Sequence, residues 1–287
     1  MNMTAESFAN TTPDNMNMDG LRAFTFWILE TLYAVDIAKV LTISQELNKI
    51  QSMPAKGKGL LGMIEFHGHA IPVIDFASML NMKSATQRGN ELIQLLTERE
   101  HDHHEWLNAL ENSIINGDPF LKAKDPNQCA FGIWRLNFTS RDETLMDILS
   151  DFDQPHKQIH KLADKLLNMR ITGDIEGALK ILNMERDITM RRMSKHFAHA
   201  REHVRESSRA VLLYITEDGT TPTLALKIDD IHDVIDFKAE QFKSMSTLKS
   251  ILGHDESKLI SSYIKLEDTA DCLLIDTTSI SGIIKEV

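Results

Sequence analysis

The feature that most constrains this chain is a hydrophobic period that changes twice along its length. Short apolar runs bounded by turn residues fill residues 21–88 and again 207–287, the texture of β-strands. Between them, over residues 89–206, apolar residues recur at helical spacing. A strand pattern does not persist as a helix, nor a helical one as a strand, so neither one sheet nor one bundle accommodates the whole chain. The pattern requires a helical block set between two β segments. At 287 residues there is length for two cores.

In the first β segment, residues 24–29 and 33–37 flank the polar break Glu30-Thr31 as in a hairpin. Further strands are expected at 40–43, 62–66 and 71–76, and Pro72 assigns the last to a sheet edge or a strand start. Gly57, Gly59, Gly62 and Gly68 read as turn punctuation, with no phosphate-cradling spacing. In the second segment, strands are expected at 211–215, 223–228, 234–237, 262–266 and 272–275. The central block predicts a first helix carrying Leu92, Leu95, Leu96, Trp106, Leu107 and Leu110, ended by Gly117-Asp118-Pro119. A second runs from residue 142 to about 169, kinked at Pro155. A third runs from 175 to about 204, with Asp174 as its N-cap. Residues 1–20, polar and without periodicity, are expected to be disordered.

The net charge of −11 argues against nucleic acid as a partner, since no basic stripe is present. Counting Asp and Glu against Lys and Arg, residues 1–88 carry −1, residues 89–206 carry −4 and residues 207–287 carry −6. That last excess suits a basic partner as well as a solvated surface. No stretch resembles a secretion signal and no eighteen-residue apolar run exists, so a cytoplasmic location is expected. Two cysteines, Cys129 and Cys272, make no disulfide framework, and a reduced thiol is free to bind metal. Cys272, within an apolar run, reads as a core residue.

Residues 101–160 hold four candidate metal ligands: His103, Cys129, His156 and His160. His156 and His160, at i and i+4, stand on one helical face and can reach one ion. One thiolate with three imidazoles suits a tetrahedral ion of borderline softness, with zinc (Zn2+) the first choice. Taken singly, each residue reads more simply as an ordinary buried cysteine or a satisfied polar histidine, and it is the combination that favours metal; His101 and His104 crowd His103. Catalytic zinc is disfavoured, because Lys157 stands where His-Glu-x-x-His proteases carry glutamate. His199 and His203 share a face on the last helix, but their basic neighbours make a solvated surface the simpler reading of that pair and of His196.

A histidine three before Trp106, the run Cys129-Ala130-Phe131-Gly132-Ile133-Trp134 and the pair His156 and His160 occur in that order. This stretch resembles the chemoreceptor zinc-binding (CZB) domain, a helical bundle, over roughly residues 90–205. By position, the resemblance implies zinc ligands at His103, Cys129, His156 and His160. The flanking halves resemble the CheW-like coupling domain, a pair of small SH3-like β-barrels. The carriers are Tyr33-Ala34-Val35-Asp36-Ile37, Gly62-Met63-Ile64 and Ile71-Pro72-Val73-Ile74-Asp75, then Leu226-Lys227-Ile228-Asp229-Asp230-Ile231 and Leu273-Leu274-Ile275-Asp276. One departure stands out: the family's asparagine and Arg-Gly turn is replaced by Glu65-Phe66-His67-Gly68, and an imidazole lacks arginine's charge and planar fork.

The expected architecture is therefore α+β and multi-domain. Residues 21–88 and 207–287 form a CheW-like domain, one barrel from each half, interrupted by a CZB-like bundle at 89–206. The resemblance implies a non-enzymatic signalling adaptor. Its expected partners are a CheA-like chemotaxis histidine kinase, chemoreceptors or other CZB-linked signalling proteins, with a homodimer through the bundle also in view. Zinc or oxidant sensing follows from the thiolate ligand. A purely structural zinc protein and a bundle metalloenzyme are the alternatives.

Overall fold

The computed structural model describes residues 20–54, 57–243, 258–266 and 271–285. The expected disordered N-terminus lies outside the described residues apart from Gly20. The chain divides into two compact units, one built from the two β segments and the other spanning residues 86–209.

In the first unit the strands are β1 (Leu21–Ile28), β2 (Thr31–Asp36), β3 (Val40–Ser44), β4 (Leu60–Phe66) and β5 (His69–Asp75), followed by the short helix α1 (Phe76–Met79). After the helical unit come β6 (Val211–Thr216), β7 (Pro222–Ile228), β8 (Asp230–Phe237), β9 (Phe242–Lys243), β10 (Ile260–Ile264) and β11 (Cys272–Ile275). They form a six-stranded sheet in the order β8-β1-β2-β11-β10-β9 and a five-stranded sheet in the order β3-β6-β7-β5-β4. The sequence suggested one barrel from each half, and this is corrected: each sheet takes strands from both halves. Antiparallel ladders β1–β8 and β3–β6 mix the halves, as do two parallel ones, Leu32–Ala34 of β2 beside 272–274 of β11, and 73–75 of β5 beside 225–227 of β7. Parallel neighbours need a long crossover between them, so the β segments are bound to each other whatever lies in between.

Pro72 also sits differently from expectation, because β5 is interior. The ladder to β7 begins only at Val73, so at Pro72 the ladder hydrogen bonding is to β4 alone. The β4–β5 turn is His67-Gly68, both left-handed at φ 51 and 82, the geometry of a two-residue hairpin loop that favours glycine. The core of this unit is apolar, with Phe26, Tyr33 and Phe76 in mutual ring contact. Beside it Lys227 Nζ donates to Asp75 Oδ2 at 2.7 Å, an ion pair with both side chains buried. Asp75 also caps α1 by accepting from the Ser78 N–H.

The second unit is helical: α2 (Ala85–Asn116), α3 (Ala130–Asn137), α4 (Glu143–Ser150), α5 (Asp153–Ile171), α6 (Ile175–Glu185) and α7 (Arg191–Ser207). The single helix expected over 142–169 is two, with the break at Asp151-Phe152. Pro155 falls in the first turn of α5, where an N–H would have no intrahelical acceptor, so it begins that helix instead of kinking a longer one. Asp174 caps α6 as expected, accepting from the Gly177 N–H. α6 and α7 are joined through a π-helical turn, 186–190: its Arg186 pairs with Glu111 of α2 at 2.7 Å, and Glu185, at the end of α6 just before it, accepts from Gln158 of α5 at 2.9 Å. The two ends of the unit meet, with Thr86 Oγ1 donating to the Ser208 carbonyl at 3.3 Å. Gly89 lies so close to Ser208 that an added Cβ would stand 2.2 Å from its Oγ. α8 (Thr277–Lys285) follows β11. Among the described residues, no helix is long and apolar enough to cross a membrane.

Removing one partner of a buried ion pair strands the other charge, at a cost of about 3–5 kcal/mol. Lys227→Met is therefore expected to lower the stability of the sheet unit by about that amount, read from the urea unfolding transition. Wild-type stability in this variant would show that Asp75 does not depend on its partner.

Candidate metal centre

On α2, the buried stripe Leu96, His103, Leu107, Leu110 and Ile114 follows helical spacing, and it carries His103 inward among leucines. His101 and His104 are exposed, so of the three crowded histidines only His103 faces the interior. On α5, His156 and His160 share the buried face with Ile159 and Ala163, the face that i, i+4 spacing predicts. Cys129 is the N-cap of α3, its Sγ accepting from the Gly132 N–H at 3.2 Å. Gly132 is required there, since a Cβ on it would stand 1.9 Å from the Pro126 carbonyl oxygen.

These elements bring His103, Cys129, His156 and His160 together, one potential ligand atom from each lying within 4.8 Å of the others. Among the described residues it is the one such gathering of three or more His, Cys, Asp or Glu. Cys129 Sγ is 3.2 Å from His156 Nε2. The imidazoles cross nearly edge to face, with centroids 5.1 Å apart for His103 and His156 and 4.8 Å for His156 and His160. Phe131 and Phe197 wall the group with aromatic surface. On one side a cavity of about 220 Å³ reaches His103, Cys129 and His160, lined also by Asp102, Lys122 and Gln128.

The hydrogen bonds fix which ring atoms are free. His103 Nδ1 is 2.6 Å from the Arg99 carbonyl, and His160 Nδ1 is 3.1 Å from the Ala123 carbonyl. A carbonyl oxygen only accepts, so each Nδ1 carries the proton and each Nε2 keeps a lone pair. Both Nε2 atoms are buried without a hydrogen-bond partner. Two buried acceptors left unpaired are costly in a finished core, and a cation placed among them would satisfy both. This set of donors fits zinc: one sulfur and three imidazole nitrogens, with backbone carbonyls orienting two of the rings.

Burial, followed by the neighbouring histidines, pushes His156 down to about 3 and His160 down to about 4, and burial lowers His103 as well. All three rings are thus neutral at pH 7, the form that ligates. Burial raises the Cys129 thiol against the opposing effect of the Gly132 and Phe131 N–H groups, so loading the site with metal releases its proton. Among the described residues the α7 histidines join no such group: His203 pairs with Asp142 at 2.7 Å, and His196 lies 4.0 Å from Asp151. The outer partners Arg99 and Ala123 act through backbone carbonyls, which leave no mark in residue identity.

The fold and site together define a protein of two interleaved β-sheets carrying a helical unit with a buried His/Cys cluster. Comparison with known families places both parts. Residues 22–103 match the CheW-like domain, and residues 103–167 match the chemoreceptor zinc-binding domain. The chain thus joins a CheW-like domain to a chemoreceptor zinc-binding domain. No curated protein matches the chain. Among solved structures, the scaffolding protein TtCheW from Thermoanaerobacter tengcongensis is similar at 11% identity, with 89% of this chain and 88% of that one covered and a TM-score of 0.40.

Two outcomes follow. Below pH 6.5 the unfolded chain protonates histidines that the folded unit keeps neutral until about pH 4 and about pH 3. Stability of the metal-free helical unit should therefore fall as pH drops through that window, and His156→Gln should flatten the slope of urea midpoint against pH. An unchanged slope would contradict the burial of His156. Gly132→Ala should cost about 1–3 kcal/mol by forcing α3 off the Pro126 carbonyl, again read by urea unfolding.

Proposed function

We propose that this chain is a non-enzymatic chemotaxis-type signalling adaptor: a CheW-like domain, 21–88 with 207–287, carrying an inserted zinc-binding bundle at 89–206. The observation that carries the reading is the convergence of His103, Cys129, His156 and His160 from α2, α3 and α5 on one point. These four would hold zinc, and zinc bound there supplies the charge that keeps the Cys129 sulfur a thiolate and ties three helices together. The partners in this reading are a CheA-like histidine kinase and chemoreceptors, the proteins that CheW-like domains couple, in the cytoplasm. His67 at the β4–β5 turn, in place of the family's arginine, is expected to weaken or redirect that coupling.

The bundle is read as the sensor. Oxidation at the Cys129 sulfur removes one of four donors, and the cavity beside it gives small solutes a path. α2 leads from the first β segment and α7 returns to the second, so a change in helix packing bears on both connections. Sensing requires two states that differ in partner affinity, since a ligand that does not discriminate between states shifts nothing. A structural zinc site is the second reading, favoured by four protein donors that leave no open position.

The deciding experiment measures binding to a chemoreceptor signalling domain and to the kinase. It compares wild type with zinc, after chelation and after mild peroxide treatment, and Cys129→Ser. The sensor reading expects the last three to differ from the first in the same direction. Equal affinity in all four leaves zinc as a structural element. The insertion reading has its own check: the meeting of Thr86 with Ser208 supports replacing 86–209 by a short Gly/Ser linker. The product should remain a cooperatively folding β protein by circular dichroism, and an unfolded product would make the bundle part of one shared core.

A further inference from the structure

His103 and His160 reach the same state by different means. His103 Nδ1 donates to the carbonyl of Arg99, four residues back on its own helix, so α2 alone fixes that ring. His160 Nδ1 has no such local support; it donates to Ala123, in the irregular segment between α2 and α3. That carbonyl also accepts the indole Nε1–H of Trp106 at 2.7 Å. A carbonyl oxygen has two lone pairs, and here each meets a donor.

We propose that Trp106 is a positioning residue for the metal centre: its indole N–H holds the Ala123 carbonyl where the same oxygen fixes the orientation and tautomer of His160. The inference rests on the zinc-site reading above and adds to it the residue on which one ligand depends. Trp106 is 4% exposed, so its N–H needs an internal acceptor, and Ala123 supplies it. The indole also packs against the His160 ring, with centroids 5.0 Å apart, and against Phe120 at 5.1 Å. Beside the bond from His160 itself, the neighbouring Lys124 pairs with Asp164, the two side chains being 42% and 73% exposed. An exposed pair of that kind holds a loop weakly. The segment also ends at Cys129, whose Sγ donates to the Pro126 carbonyl within it at 3.3 Å. Freeing Ala123 therefore releases His160 first and loosens the approach to Cys129, while His103 keeps its own support.

That asymmetry supplies the test. In the full-length, metal-free protein at neutral pH, ring nitrogen NMR should show His103 and His160 both protonated at Nδ1. In Trp106→Phe, which keeps an aromatic ring but removes the donor, His160 should shift to a mixture including the Nε2–H tautomer while His103 stays unchanged. Zinc affinity, by competition with a chromophoric chelator, should fall by about tenfold, the low end for losing an outer partner of a metal ligand. Phe120→Leu, which loosens the same packing without touching the donor, should keep wild-type tautomers and affinity. The proposal is overturned if His160 is unaffected in Trp106→Phe, if both histidines change together, or if Phe120→Leu loses as much affinity. Should Trp106→Phe not fold, wild type decides: an exchange-protected Trp106 indole proton with His160 protonated at Nδ1 supports the assignment, and His160 protonated at Nε2 overturns it. A wild type that binds no zinc refutes the zinc-site reading, while the tautomer comparison still judges the role of Trp106.

Discussion

The helical unit depends on a local imbalance: two buried imidazole nitrogens with lone pairs and no donor, set beside a thiol and a third imidazole. Unpaired acceptors of this kind oppose folding, and the leucine- and phenylalanine-rich core around them has to outweigh that cost. Burial keeps the rings neutral, so protonation offers no relief near pH 7. A cation would, and the four donors gathered here could hold one. The surrounding contacts agree: Gly132 lets the α3 N-terminus press against Pro126, and backbone carbonyls hold His103 and His160 with Nε2 inward.

The β unit depends on a different constraint. Its two parallel ladders join strands that lie far apart in sequence, β2 with β11 and β5 with β7. Neither half can complete a sheet alone, and this allows a long helical insertion without division into two independent β domains. The insertion needs only ends that meet, as Thr86 and Ser208 do. The buried Lys227–Asp75 pair sits on one of these ladders, at register partners 75 and 227, so the first segment's helix cap and the second segment's strand share one charge pair.

Much of this was legible in the sequence, and the reasons differ by element. Short apolar runs bounded by turn residues placed ten of the described strands to within about four residues, while the two-residue β9 (Phe242–Lys243), too short to carry such a run, was not expected. The four clustered residues were legible because spacing and residue type are both visible, and burial separates His103 from His101 and His104 on the helix. Strand pairing was not: a ladder between residues 32 and 272 is a long-range choice with no local signal. The break at Asp151-Phe152 was missed because the apolar pattern continues across it, and Pro155 was read as a kink when its position in the first turn makes it a start. The carbonyls of Arg99 and Ala123 had no residue signature at all, though the indole that meets Ala123 belongs to the aromatic marker three positions after His103.

The most direct measurement is X-ray absorption at the zinc edge on full-length protein purified from zinc-replete medium, with total metal counted in parallel. The account predicts one zinc per chain. It predicts one sulfur at about 2.3 Å and three nitrogens at about 2.0–2.1 Å, with the sulfur lost in Cys129→Ser. Two or more sulfur ligands, or a folded protein that carries no metal, would contradict it.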